Sequence, residues 1–325
     1  MDKKSLVIIS FAFIFLLSMS IVFAGDAQDE KISFDKWLKE LWGKITGTGK
    51  ITGQVFAGGV GTSANPYQIS NCAQLQDMKI NLNAHYKLTS NINCNVASYN
   101  SGTGFEPIGN WYVPFTGSLN GNCFNIANLY INRPLSDSVG LFGGTYNANI
   151  QNVNLVNVSI TGGNAVGGLV GSVSRGNISN SSSTGNVIGG INIGGLVGDV
   201  SQGNISNSYS NVKVVGNIRV GGLVGNVLRG NISNSYSNGS VNGNSNAGGL
   251  VGDGSSTCTS SFWDTETSGK TTSACGTGKT TSQMKTQSTF TTWDFTKIWG
   301  ITAGSSYPFL RKGCPSGSIN PILNN

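Results

Sequence analysis

Charge is scarce in this chain. Only 10% of its 325 residues are charged, and histidine occurs once, as His85. A single histidine excludes the two-histidine zinc site of a metallopeptidase helix. It also leaves any His-assisted serine or cysteine nucleophile with one base to use. His85 stands in Ala84-His85-Tyr86 with no acid beside it, so no catalytic residue is assigned. Between Val139 and Ser256 the only charged residues are Arg175, Asp199, Lys213, Arg219, Arg229 and Asp253. Phosphate binding needs clustered cations, so nucleic acid is excluded as a partner. Proline is sparse too, and the 47 glycines follow no three-residue period, which excludes collagen. Low charge combined with abundant Val, Ile and Leu also excludes a disordered chain.

No Cys-x-x-Cys or histidine spacing marks a metal site. Two phosphate-loop look-alikes fail as well. Gly276-Thr-Gly-Lys-Thr280 puts Ser273 where the first Walker A glycine belongs. Gly59-Val-Gly-Thr-Ser-Ala64 runs into Asn65-Pro66 instead of a helix. No cofactor is expected.

What is present begins with an export signal. Lys3 and Lys4 precede an apolar run from Leu6 to Phe23, and Val22-Phe23-Ala24 is a small-residue cleavage site. Residues 1–24 are therefore a signal peptide or an uncleaved N-terminal anchor. Both place the rest outside the cytoplasm, extracellular or at the cell surface, with membrane contact only through that segment if it is retained. In residues 25–64, Leu38, Leu41, Trp42 and Ile45 form one apolar helical stripe. This short amphipathic helix precedes a glycine-rich linker. Six cysteines fit an oxidising compartment. Cys72 and Cys94 flank one short unit and Cys258 and Cys275 another, so local pairing of each couple is expected. The partners of Cys123 and Cys314 stay open.

The repeats decide the fold. Val166-Gly-Gly-Leu-Val-Gly171 recurs at 193–198, 220–225 and 247–252, each copy 27 residues after the last. Asn177-Ile-Ser-Asn-Ser181 recurs in phase at 204–208 and 231–235. Two motifs sharing one period mean stacked units. Glycine pairs preclude helical repeats, and each unit divides into three β-prone pieces. These observations predict an all-β right-handed parallel β-helix over residues 65–262, with about 27 residues and three short strands per turn. Residues 263–325 form a C-terminal capping segment and tail. Leu169, Leu196, Leu223 and Leu250 should form one inward column, and Ile178, Ile205 and Ile232 another. Glycine should serve the tight corners. Asn180, Asn207 and Asn234 should form an amide ladder.

The Gly-Gly-Leu-Val-Gly unit with its Ile-Ser-Asn-Ser-Tyr partner resembles the GLUG-motif repeats. Those occur in filamentous-haemagglutinin-like surface proteins and in some immunoglobulin A1-cleaving metallopeptidases. Gly61-Thr-Ser-Ala-Asn-Pro-Tyr-Gln-Ile69, Phe115-Thr-Gly-Ser-Leu-Asn-Gly121, Ser261-Phe-Trp-Asp264 and Tyr307-Pro-Phe309 resemble the flanking segments of the same proteins. The resemblance covers about residues 60 to 311 and implies a surface or adhesin β-helix. It does not carry over the peptidase zinc site, for which the histidines are missing.

A β-helix can also host polysaccharide hydrolases or lyases. Asp199 and Asp253 follow Gly-Leu-Val-Gly two turns apart, so stacking puts them roughly 10 Å apart. That is near the carboxyl spacing of inverting glycosidases. Ser172 and Asn226 fill the same column, which reads better as a solvated row. The expectation is a non-enzymatic adhesin-like or display module. Its candidate partners are glycans, extracellular matrix or other surface proteins. The alternative is a polysaccharide-active enzyme or a glycan-binding accessory module.

Overall fold

In Tyr209–Val215, Ser210, Val212 and Val214 are buried while Asn211 and Lys213 face solvent. That two-residue alternation is the mark of a strand with one face on a core. The computed structural model describes residues 56–122 and 124–311. The signal or anchor segment, the helix expected around Trp42, and the cysteines Cys123 and Cys314 lie outside the described residues.

The strands stack as a parallel β-solenoid. Each turn of the repeat region has three arms. The short arm runs Ile191–Gly194, the long arm Val197–Ser201 plus Asn204–Ser206, and the flank arm Tyr209–Val215. Short arms build a four-stranded sheet, long arms an eleven-stranded sheet and flank arms a ten-stranded sheet. Val166 pairs with Ile193, Ile193 with Val220 and Val220 with Ala247, which confirms the 27-residue register. The long arm breaks at Gln202, which adopts φ 58, so that turn has four strands in three arms.

Leu169, Leu196, Leu223 and Leu250 are fully buried, and Ile178, Ile205 and Ile232 nearly so. Both predicted columns stand inside the coil. Each such side chain contributes about 1.5–3 kcal/mol relative to exposure. At the N-terminal end the same interior holds an aromatic stack. Phe56 lies 4.5 Å from Tyr67, and Phe115 lies 4.8 Å from Phe142, by ring centroids.

Two expectations about the corners need correction. The left-handed corners are occupied by Asn152, Asn180, Asn207 and Asn234, and by Arg175, Gln202 and Arg229, not by the repeat glycines. The glycines serve close approach instead. A Cβ on Gly198 would lie 2.5 Å from the Ala165 carbonyl carbon, and one on Gly194 would lie 2.0 Å from the Val197 oxygen. Asparagine tolerates the left-handed conformation, whereas no side chain tolerates such contacts.

The expected amide ladder of Asn180, Asn207 and Asn234 does not form. Asn180 Oδ1 is buried without a partner. The next residue carries the ladder. Ser181 N–H donates to Ser208 Oγ at 3.2 Å, Ser208 N–H to Ser235 Oγ at 3.1 Å, and Ser235 N–H to Ser261 Oγ at 3.3 Å. Each hydroxyl then donates to the carbonyl two residues before it, as Ser208 does to Ser206 at 2.7 Å. These serines are buried yet satisfied, which avoids a penalty of about 1–3 kcal/mol for each unpaired group. Amide ladders do occur elsewhere, as in Asn204 Nδ2 to Asn177 Oδ1 at 3.0 Å.

Both ends are fastened. Cys72 opens the helix Cys72–Asp77, which Asn71 caps, and is bonded to Cys94 with Cα atoms 5.3 Å apart. Cys258, in the last long arm, is bonded to Cys275 at 5.6 Å. Residues 272–279 cover the final turn: Gly249 N–H reaches Thr272 O, and Thr277–Lys279 pairs with Phe262–Asp264. The chain then turns back along the outside of the flank arms, where Trp293 and Trp299 pack on Tyr236. Removing Cys258–Cys275 with a double serine substitution should cost about 3 kcal/mol for a loop of this length. Because each turn touches only its neighbours, the loss should appear as faster amide exchange in residues 251–279, with the central turns unchanged.

Candidate functional site

One polar row runs along the outside of the long arms. Gly144, Ser172, Asp199, Asn226 and Asp253 stand in register, one per turn. A second column lies beside it, made of the left-handed residues Ser138, Ala165, Asn192, Arg219 and Asn246. These left-handed residues stand at the start of the short arms, and Ser138, Asn192 and Arg219 reach the row from there. The two columns bond to each other: Ser138 and Ser172 hydroxyls are 2.9 Å apart, and Arg219 Nε donates to Asp253 Oδ2 at 3.0 Å.

The structure therefore places Asp199 and Asp253 in one row, as the repeat spacing predicted. Asn226 sits between them and donates from Nδ2 to Asp199 Oδ1 at 2.7 Å. Asn192 Nδ2 approaches the same oxygen at 3.4 Å. Burial raises the Asp199 carboxyl above its ordinary range, opposed by the Asn226 hydrogen bond and by Arg219. Both carboxylates thus have partners, Asp199 within the row and Asp253 in the column beside it. His85 lies elsewhere, on the long-arm side near the start, where its Nδ1 is 2.8 Å from Ser118 Oγ one turn on. Among the described residues no cluster of three or more His, Cys, Asp or Glu could hold a metal.

At the head of the row lies a feature that strand periodicity does not reveal. Residues 109–115 form a tight loop: Asn110 Oδ1 accepts from the Tyr112 and Val113 N–H groups at 2.9 and 2.8 Å. This turn holds Trp111 60% and Tyr112 91% exposed. The loop rests on Gly144, whose Cβ would lie 2.5 Å from Asn110 O. Where later turns carry Ser, Asp or Asn in the row, the first has no side chain, and that vacancy seats the loop. A groove of about 200 Å³ opens there, lined by Trp111, Pro114, Thr145, Tyr146, Ser172 and Ser174. At its rim Arg175 reaches Tyr146 Oη at 3.5 Å and Gln202 Oε1 at 2.9 Å. The sequence signal was Asn110-Trp-Tyr-Val-Pro114, a turn that puts two aromatic residues where no strand can bury them.

Comparison with known proteins agrees with this architecture. A family model, the GLUG motif, matches residues 162–188 and 216–242. Halomucin of Haloquadratum walsbyi is 38% identical over 138 residues, 40% of this chain and 2% of that protein. A provisionally named Gly-rich membrane protein of Evansella cellulosilytica is 38% identical over 97 residues, 29% of this chain and 11% of that protein. The chain thus spans only a small part of the length of these relatives. Among solved structures, a Bacteroides ovatus chain provisionally named an immunoglobulin A1 protease aligns with a TM-score of 0.61. That alignment covers 79% of this chain and 96% of the other at 20% identity, a likeness that shows the fold alone. The two matched segments each contain one copy of both repeated motifs, and the turn between them shares the same register. In these two segments the chain carries GLUG-motif repeats.

Proposed function

We propose that this chain is a non-enzymatic extracellular or cell-surface repeat protein, an adhesin-like or display module that offers the outside of its coil to glycans or matrix. The observation that carries the reading is the state of the two acids best placed for catalysis. Asp253 is held by Arg219, and Asp199 is held by Asn226. The names of the relatives, a mucin-like protein and a membrane protein, support a surface setting. The export signal in residues 1–24 points the same way.

One observation favours the enzymatic alternative. Asp199 has a raised carboxyl affinity for protons, as a general acid requires, and a second acid stands two turns away. The test is reducing-sugar release from common polysaccharides by the wild-type chain and by the double variant Asp199→Asn, Asp253→Asn. Neither should release sugar. The variant should stay within about 1 kcal/mol of wild type, since the Arg219–Asp253 pair is half-exposed. Release by wild type that vanishes in the variant overturns the display reading.

A further inference from the structure

We infer that the groove between Trp111 and Tyr146 is a subsite for a neutral pyranose residue of a glycan chain. The inference deepens the display reading and rests on it. Trp111, Tyr112 and Val113, three successive residues, together expose an apolar tip, and such patches on soluble proteins mark contact sites. The shape of the tip is set by the chain's own contacts, because Asn110 fixes both following N–H groups and Gly144 seats the loop. A preorganised aromatic surface binds without first losing loop entropy.

The chemistry of the groove selects the ligand class. An aromatic face matches the C–H face of a pyranose, while the hydroxyl rim of the sugar needs donors and acceptors at the groove edge. The edge supplies them. Ser174 and Tyr146, each with a hydroxyl, line it, and the Arg175 guanidinium stands beside Tyr146. The Ser172 hydroxyl is already engaged by Ser138, so it shapes the floor. A groove of about 200 Å³ is smaller than the usual pocket for a drug-sized molecule, which suits a single ring. No lining residue carries a formal charge. Along the row beyond it Asp199 and Asp253 are matched by Arg219 and Arg175, so the surface favours neither sign of charge and suits a neutral chain. The row repeats every ~4.8 Å, close to the length of one sugar residue. A glycan anchored at Trp111 can therefore run along Asp199, Asn226 and Asp253.

The test is calorimetric titration of the full chain with cellohexaose, chitohexaose and maltohexaose as neutral probes and hyaluronan hexasaccharide as an acidic one. At least one neutral probe should bind wild type. Trp111→Ala should weaken it by about tenfold or more, and Trp111→Phe by no more than about threefold, as expected for loss or retention of one aromatic contact. Trp111 is exposed, so both variants should melt as wild type does. Three results overturn the inference: unchanged binding by Trp111→Ala, silence of every neutral probe up to about 10 mM, or tighter binding of hyaluronan. Each removes the subsite alone. The display reading has its own test in reducing-sugar release, so the two failures are distinguishable.

Discussion

Replacing Gly225 with alanine is expected to abolish cooperative folding of the repeat region. The added Cβ would lie 2.4 Å from Ile193 N, 2.5 Å from the Asn192 carbonyl carbon and 2.6 Å from Gly198 O. All three are backbone atoms of the preceding turn, so no side chain can swing aside. Relief requires the two turns to part, yet there they are joined by Leu196 N–H to Leu223 O at 2.9 Å and by the pairing of Val197 with Val224. A cost above about 4–5 kcal/mol is exceptional for one substitution and comes only from mechanisms of this kind. Gly269→Ala supplies the control. Gly269 has φ 64 and nothing within 4 Å of the new carbon, so only backbone strain of about 1–2 kcal/mol remains. Urea unfolding followed by circular dichroism separates the two cases. A Gly225→Ala protein with the wild-type midpoint would show that the turns are not in such close contact.

Tyr236→Ala is expected to release the C-terminal segment from the flank while the coil stays folded. Tyr236 faces outward from the flank arm yet is buried. Its ring stacks on Tyr209 at 5.1 Å and meets Trp293, Trp299 and Tyr307 at 6.0 to 6.3 Å. Its hydroxyl donates to Pro308 O at 2.6 Å. Removing a buried aromatic side chain costs about 3–5 kcal/mol, and here the loss falls on a single docking surface. Trypsin should then cut after Lys285 and Lys297 far faster than in wild type, leaving a protected fragment of the coil. Tyr236→Phe keeps the stacking and loses one hydrogen bond, so it should cost about 1 kcal/mol and resist trypsin. Equal protection of the alanine variant would mean that the flank segment is held by other contacts.

The coil was legible in the sequence because its period is written twice, once in Gly-Gly-Leu-Val-Gly and once in Asn-Ile-Ser-Asn-Ser. Leucine and isoleucine columns follow from that period with no further knowledge, as does the shared row of Asp199 and Asp253, whereas the local pairing of four cysteines was read from each couple flanking one short unit. What did not follow was the division of labour within each motif. Glycine and asparagine both favour unusual backbone, and composition alone does not say which takes the left-handed corner and which takes the close contact. The serine ladder was hidden for a similar reason. Asn180 and Ser181 are adjacent polar residues, and only the turn between them decides which one points inward. Trp111 and Tyr146 escaped because they lie 35 residues apart in irregular early turns, where the 27-residue period has not begun.

The direction of the hydrogen bonds has a mechanical consequence. Between stacked turns they run along the axis of the coil, from one rung to the next, so tension applied along that axis is carried by all rungs in series and the weakest yields first. A single turn that yields converts about 4.8 Å of axial rise into roughly 90 Å of extended chain, from 27 residues at about 3.3–3.6 Å each. Sequential yielding of this kind dissipates force without breaking covalent links. The end turns, where fraying would otherwise start, are the ones crossed by Cys72–Cys94 and Cys258–Cys275. The middle of the coil is thereby the extensible part and the two ends are its grips.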